Sequence, residues 1–326
     1  MSGAPFGDPR PRDAAPPPVA SRAGMTPSAA PAGGLDTAAR ARFAADGFLA
    51  PLDAITPAAA AAYRRRLEAR LEPDGHAGAR LRNSPHLVLA WASDLAHHPR
   101  ILDAVESLLG PDLLLWRSTL FVKPPGDDGD VAWHQDTIYW DIVGGGVVTA
   151  WVALTDSDAG NGAVQVAAAT HDAGIFPHAL AADQHNRLVR GRVAAPPAAA
   201  RVESLTLRAG QFSLHHGWLL HASPANRSTR MRAGLALRYI APDLRQRGLR
   251  VSARLVRGVD RFGHYDLEPR PRRDDDPVAL AWHRRAMRRY GVQVVRQLLR
   301  RPSRESLRLI VRLAARREVL RALWSR

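Results

Sequence analysis

The sequence predicts a mainly β protein: a double-stranded β-helix, or jelly roll, with helices packed on it from the N-terminal side and a basic helical extension after it. Three observations predict this. Helical periodicity is confined to residues 35–109 and to the stretch after residue 276. Between residues 111 and 240, short β-branched and aromatic runs alternate with Gly-, Asp-, Asn- and Pro-rich turns, and helices followed by strands point to segregated layers rather than an alternating α/β sheet. Side chains of metal-ligand type fall on separate strand-like runs, which a jelly roll brings face to face.

Each element has its own signal. Residues 1–34 are rich in Pro, Ala and Gly and lack an apolar stretch of signal-peptide length, the composition of a disordered tail. Residues 35–46 are periodic. Thr56-Pro57 supply a cap and a first-turn proline for a helix over 58–71. Residues 87–109 read as one or two helices interrupted at Pro99. In the strand over 113–123, Thr119, Phe121 and Lys123 share a face. The turn-prone run 124–130 leads into the aromatic, β-branched segment 131–140. Trp151 lies in the apolar strand 147–154, where packing is its default role. Residues 210–221 and 232–240 flank a polar turn at 224–229, so His221 ends one strand and Arg232 opens the next. Asp276-Pro277 and Ser303 mark helix starts for 277–300 and 303–324. The expected organisation is a tail (1–34), a catalytic domain (35–265) and a basic helical extension (266–326).

Composition narrows the function. The chain of 326 residues has no cysteine, which excludes disulfides, thiolate metal sites and a cysteine nucleophile and is compatible with the cytoplasmic location expected here. No apolar stretch approaches a membrane span, so no transmembrane segment is expected. Residues 277–326 hold fourteen arginines against Glu305 and Glu318, a net +12 of the chain's +15, so the remainder is close to neutral. Such a basic amphipathic extension suits an anionic surface or an acidic partner, or packs on the core with its arginines solvated; the last is the plainer reading, and specific nucleic-acid recognition is not expected.

His134-Gln135-Asp136 carries the chemistry. In extended backbone, positions i and i+2 point the same way, so His134 and Asp136 converge. Two imidazoles and one carboxylate hold one face of a ferrous ion and leave its other positions open. The tripeptide alone is weak evidence: with 13 histidines and 24 aspartates in 326 residues, about one chance copy is expected. A second copy, His264-Tyr265-Asp266, follows the last strand-like run and reads as a surface turn. What distinguishes the first is His221 downstream with Arg232 eleven residues later; His215 and His216 lack an Arg at that spacing. Lys123 is the chain's single lysine against 45 arginines, either a site where the bulkier guanidinium does not fit or chance on a solvated strand.

With these residues the sequence resembles the phytanoyl-CoA dioxygenase family of iron(II)/2-oxoglutarate-dependent oxygenases, over about residues 35–265. Further matches are Asp46-Gly47-Phe48, Leu109-Gly110-Pro111, Lys123-Pro124-Pro125, Trp151, Asn161-Gly162 and Asn226. The resemblance implies a cupin-like core, iron(II) held by His134, Asp136 and His221, and O2 and 2-oxoglutarate as cosubstrates. It implies that Arg232 anchors the far carboxylate of 2-oxoglutarate with Ser223, and that Thr119 and Trp151 border it. An always-charged, two-pronged donor suits that carboxylate. Tyr139 and Trp140, directly after the metal-binding segment, are the expected contacts for a small-molecule substrate. Relatives that halogenate carry Ala or Gly in place of Asp136, so hydroxylation is expected, although desaturation, ring formation and epimerisation use the same ligands. One departure is Ala168-Ala169-Thr170-His171, where the family has Pro-Gly-Ser/Thr-His; this is expected to bear on substrate rather than on iron. A non-catalytic jelly-roll scaffold recruiting a partner through the basic extension is the alternative. A zinc hydrolase on the same ligands is weaker, since it gives no reason for Arg232.

Overall fold

The computed structural model describes residues 34–140, 142–143, 146–178, 193–299, 307, 310 and 311. The expected tail lies outside them apart from residue 34. The N-terminal part is α1 (Thr37–Asp46), β1 (Phe48–Asp53), α2 (Pro57–Glu68), α3 (Ala79–Arg82), α4 (Ala90–Ala96) and α5 (Pro99–Leu109). Asp36 caps α1 by accepting from the Ala39 N–H, and Thr56 does the same for Ala59 in α2. Pro99 opens α5 rather than interrupting a helix, because the N–H it lacks would have no partner in a first turn.

The strands follow as β2 (Leu113–Lys123), β3 (Val131–His134), β4 (Ile142–Val143), β5 (Val147–Ala153), β6 (Gln165–Ala167), β7 (Val202–Ser204), β8 (Gln211–His216), β9 (His221–Ser223), β10 (Arg232–Ile240), β11 (Arg245–Gln246), β12 (Ser252–Arg257) and β13 (Asp266–Leu267), before α6 (Pro277–Leu299). A larger sheet has the order β1-β8-β5-β10-β2-β12-β13 and a smaller one the order β3-β9-β6-β7, while β4 and β11 pair separately. This is the expected jelly-roll core with helices at both ends.

Period-two alternation sorts the larger sheet into two faces. Phe212 and Leu214 of β8, Val148, Ala150 and Val152 of β5, and Leu235, Leu237 and Tyr239 of β10 point outward and form one buried cluster with Phe43, Leu67, Trp91, Leu95 and Ile101 under the helices. The opposite face looks toward the smaller sheet, where Trp151 and Ala236 pack with Val164, Val166, Leu205 and Leu219. The functional groups stand on this inner face.

The structure departs from the sequence reading in three places. Residues 210–221 are not one strand: the chain leaves the larger sheet at His216 and enters the smaller one at His221, which therefore begins β9. A continuous apolar run cannot reveal a corner where a strand changes sheets. Strands also continue past residue 240, as β11 to β13. His264-Tyr265-Asp266 is not a plain surface turn: Tyr265 is buried with Trp116, Trp140 and Ile240, while Asp266 opens β13 and takes ion pairs from Arg250, Arg285 and Arg289.

The first helix of the basic extension packs on the domain. Asp276 caps α6 through the Val278 and Ala279 N–H groups. Ala279, His283, Ala286, Val294 and Leu298 are buried, while Arg284, Arg285, Arg288 and Arg296 face outward. His283 Nε2 lies 2.8 Å from the Asn83 carbonyl, and Gln293 donates to the Arg247 carbonyl. The second expected helix (303–324) lies outside the described residues except for Leu307, Ile310 and Val311, which are helical. Among the described residues, no helix is long and apolar enough to cross a membrane.

Candidate active site

Strand pairing builds the centre. β3 runs antiparallel to β9 with His134 opposite His221, which sets the two rings 4.1 Å apart between centroids. Gln135 remains extended, so Asp136, the first residue of a short 3-10 turn (Asp136–Tyr139), still projects beside His134, with Oδ1 3.6 Å from Nε2. The ligand atoms of His134, Asp136 and His221 all lie within 4.8 Å of one another, and all three residues are buried. Each imidazole is oriented by the carbonyl two residues before it: His134 Nδ1 is 2.9 Å from the Ala132 carbonyl and His221 Nδ1 is 3.0 Å from that of Leu219. A proton on Nδ1 leaves Nε2 as the lone-pair nitrogen, the arrangement usual for metal-binding histidines.

Electrostatics act on two of the three candidate donors, Asp136 and His221. Burial opposes ionisation of Asp136, yet the Arg238 guanidinium and the imidazoles of His134 and His215 outweigh it and hold the carboxyl well below the ordinary carboxylate range. For His221, burial and then the neighbouring His134 and His215 push the pKa well below its usual value, favouring neutral imidazole. Two imidazole nitrogens and a carboxylate are a donor set that fits iron(II).

A second cluster adjoins the first through β9, which carries His221 at one end and Ser223 at the other. Arg232, 1% exposed, opens β10 and donates to Ser223 Oγ at 2.8 Å and to the Gly162 carbonyl. Its guanidinium carbon lies 4.9 Å from the centre of the Trp151 ring. Opposite Arg232 in the sheet is Lys123, which is buried rather than solvated and donates from Nζ to the carbonyls of Ser223 and Pro224. Thr119 is half-buried on the same inner face, and its hydroxyl accepts from Arg238 at 2.8 Å. Trp140 is packed 4.8 Å from Trp116 in an apolar cluster, with Arg238 5.1 Å from its ring, so its contacts in the structure are to that cluster and that arginine. The Tyr139 side chain lies outside the described residues.

Several contributors were not singled out from sequence. Arg238 donates from Nε to Asp136 Oδ2 at 3.3 Å; its signal was its place six residues after Arg232, an even step that keeps both on one face. Thr149 donates to the same oxygen at 3.3 Å, and His215, weighed only as a decoy for the third ligand, stands 3.8 Å from it. Gln135, fully buried, donates to the carbonyls of Gly174 and Trp218 and accepts from the Phe176 N–H, tying two loops to the His134–Asp136 segment. The divergent turn at 168–171 is tied to the neighbourhood of the other histidine, because Thr170 Oγ1 accepts from the Leu220 N–H directly before His221.

A family model for phytanoyl-CoA dioxygenase (PhyH) matches residues 43–234, more than half of the chain. The chain belongs to the phytanoyl-CoA dioxygenase family. Members of this family are iron/2-oxoglutarate-dependent dioxygenases, and the chain carries a candidate His-Asp-His triad for the metal. Among solved structures, the chain is similar to the non-haem monooxygenase ThoJ in its apo form, at 36% identity and a TM-score of 0.71, covering 80% of this chain and 99% of that one. A nickel complex of ThoJ matches at 36% identity with a TM-score of 0.65, over 79% of this chain and 99% of the other. Among curated proteins, a probable alpha-ketoglutarate-dependent hypophosphite dioxygenase of Stutzerimonas stutzeri is 27% identical over 162 residues, 49% of this chain and 56% of the relative. The phytanoyl-CoA dioxygenase family chain spans about half the length of the curated relatives it matches.

Proposed function

We propose that the chain is a hydroxylase: an iron(II)/2-oxoglutarate-dependent oxygenase acting on an unactivated C–H bond of a small organic molecule. In this reading, His134, Asp136 and His221 hold the iron. Arg232 and Ser223 receive the far carboxylate of 2-oxoglutarate, with Trp151 and Thr119 beside it. The observation that carries the proposal is the joining of the two clusters: a buried His-Asp-His group shares β9 with the Ser223–Arg232 pair. A zinc hydrolase on the same ligands has no use for that pair.

With iron(II) and 2-oxoglutarate bound, O2 would be the oxidant: one of its oxygen atoms would end in the substrate and the other in the succinate formed as 2-oxoglutarate loses carbon dioxide. The chain's own residues bind, orient and exclude water. Trp151 forms an apolar wall under the Arg232 guanidinium, and removing water from that arginine strengthens its pull on a carboxylate. Asp136 occupies the position that a halide needs, which supports oxygen insertion over halogenation. The similarity to ThoJ, a non-haem monooxygenase, supports the same outcome.

The test is anaerobic addition of iron(II) and 2-oxoglutarate to the metal-free chain. A weak visible charge-transfer band is expected, absent in His134→Ala and Asp136→Ala. No band together with no measurable 2-oxoglutarate binding would reject the reading.

A further inference from the structure

We propose that one transverse row of the larger sheet, His215, Thr149 and Arg238, is a positioning device that keeps Asp136 a one-oxygen ligand. The inference rests on the reading that His134, Asp136 and His221 hold the iron.

Strand register creates the row. Thr149 of β5 pairs with His215 of β8 on one side and with Arg238 of β10 on the other, so the three side chains stand abreast on the inner face. All three converge on one atom. Thr149 Oγ1 donates to Asp136 Oδ2 at 3.3 Å, Arg238 Nε donates to it at 3.3 Å, and His215 Nε2 lies 3.8 Å away. The other oxygen, Oδ1, faces His134 Nε2. The carboxylate is thus divided: one oxygen toward the metal ligands, the other engaged by the sheet. Arg238 is itself fixed, by its bond to Thr119 and by the Trp140 ring beneath it.

Coordination arithmetic supplies the purpose. A six-coordinate ion with two imidazoles and one carboxylate oxygen keeps three positions, two for a chelating 2-oxo acid and one for oxygen. If Asp136 bound through both oxygens, only two positions would remain, and a chelating cosubstrate could leave one for oxygen only by displacing the second carboxylate oxygen, at a cost to its own binding. Arg238 also offsets the negative charge that attracts the metal. Loss of the row is therefore expected to move two affinities in opposite directions: metal binding is kept or tightened, and cosubstrate binding to the metal-loaded form is weakened. General damage to the site lowers both.

The experiment titrates the metal-free full chain with cobalt(II), then the cobalt(II) form with 2-oxoglutarate, both by anaerobic calorimetry. Thr149→Val is nearly isosteric and removes one donor, and Arg238→Met removes the cation. Each is expected to bind cobalt(II) at least as tightly as the parent and 2-oxoglutarate about 10- to 100-fold more weakly, the usual range for groups that orient a ligand. Arg238→Lys is expected to recover part of the loss. Unchanged 2-oxoglutarate affinity in Thr149→Val, or a parallel fall of both affinities in Thr149→Val, overturns the proposal; the threonine variant decides the matter if Arg238→Met does not fold. Cobalt(II) binding that survives in His134→Ala would instead reject the metal reading on which the proposal rests.

Discussion

Gly234 lies against the Trp151 indole so closely that a Cβ there would overlap the ring. Gly234→Ala is expected to lower stability by about 1–3 kcal/mol, the usual range for overpacking, and to weaken 2-oxoglutarate binding by shifting Trp151 from Arg232. Urea unfolding and a cosubstrate titration check the two effects, and an unchanged midpoint would contradict the first. Ala169 shows the reverse. It occupies the left-handed region, at φ 61, where the family carries Gly, and L residues there bear a cost of about 1–2 kcal/mol. Ala169→Gly is therefore expected to stabilise the chain, by about 1 kcal/mol after the greater chain entropy of glycine is counted. A lower unfolding midpoint would refute this. Much of the site was legible at this scale: the His-x-Asp pair, the step from His221 to Arg232 and the shared face of Thr119 and Lys123 are all short spacings along the chain. Arg238 and His215 were not, because what matters about them is which residue of a neighbouring strand stands beside them.

Elements are joined here by residues far from one another in sequence. Helix α4 has Leu89 at its N-cap, with no side-chain hydrogen bond; the Ala90 N–H is taken instead by Asp274 Oδ1, which also pairs with Arg66. Asp275 next to it binds Arg70 and Arg80, and Asp276 caps α6. The Asp triplet thus clasps the N-terminal helices to the last helix. Asp274→Ala is expected to cost about 0.5–2 kcal/mol, the range for a lost cap, while Asp274→Asn retains most of the stability. Equal losses in the two variants, measured by denaturant unfolding, would argue against capping. The sequence marks Asp276-Pro277 as a helix start but gives Asp274 no role, since nothing local ties it to a helix start 184 residues away.

Across the whole molecule, buried histidines make the metal-free chain acid-sensitive. Burial lowers the pKa of His178 to about 4 and of His216 to about 3, and lowers those of His86 and His221 as well. A histidine depressed in the fold is neutral there and protonates more readily when unfolded. Its stabilisation is therefore complete above its unfolded pKa of about 6.5 and is lost as the pH falls below that, at about 1.4 kcal/mol per pH unit for each fully depressed group. Glu268 is buried against His86; burial opposes its ionisation, but His86, Ser252 and Arg254 hold it below the ordinary range, so its contribution is lost at still lower pH. The melting temperature of the metal-free chain is expected to fall steadily from pH 7 to pH 5, less steeply in His216→Gln. A flat or rising profile would contradict the assignment of these groups as neutral.

The sequence by itself determined the order of helices and strands, the alternation that separates an apolar outer face from a functional inner one, and the spacings within the pairs His134–Asp136 and His221–Arg232. These are properties of residues close along the chain, where the periods of helix and strand act directly. Only the tertiary structure decided that His221 begins a strand of the smaller sheet, that Lys123 is buried on the carbonyls of Ser223 and Pro224, that Asp274 serves a distant helix, and that His215, Thr149 and Arg238 meet on one carboxylate oxygen. Each depends on strand register or on long-range docking, which the packing of the whole chain selects and no local pattern encodes.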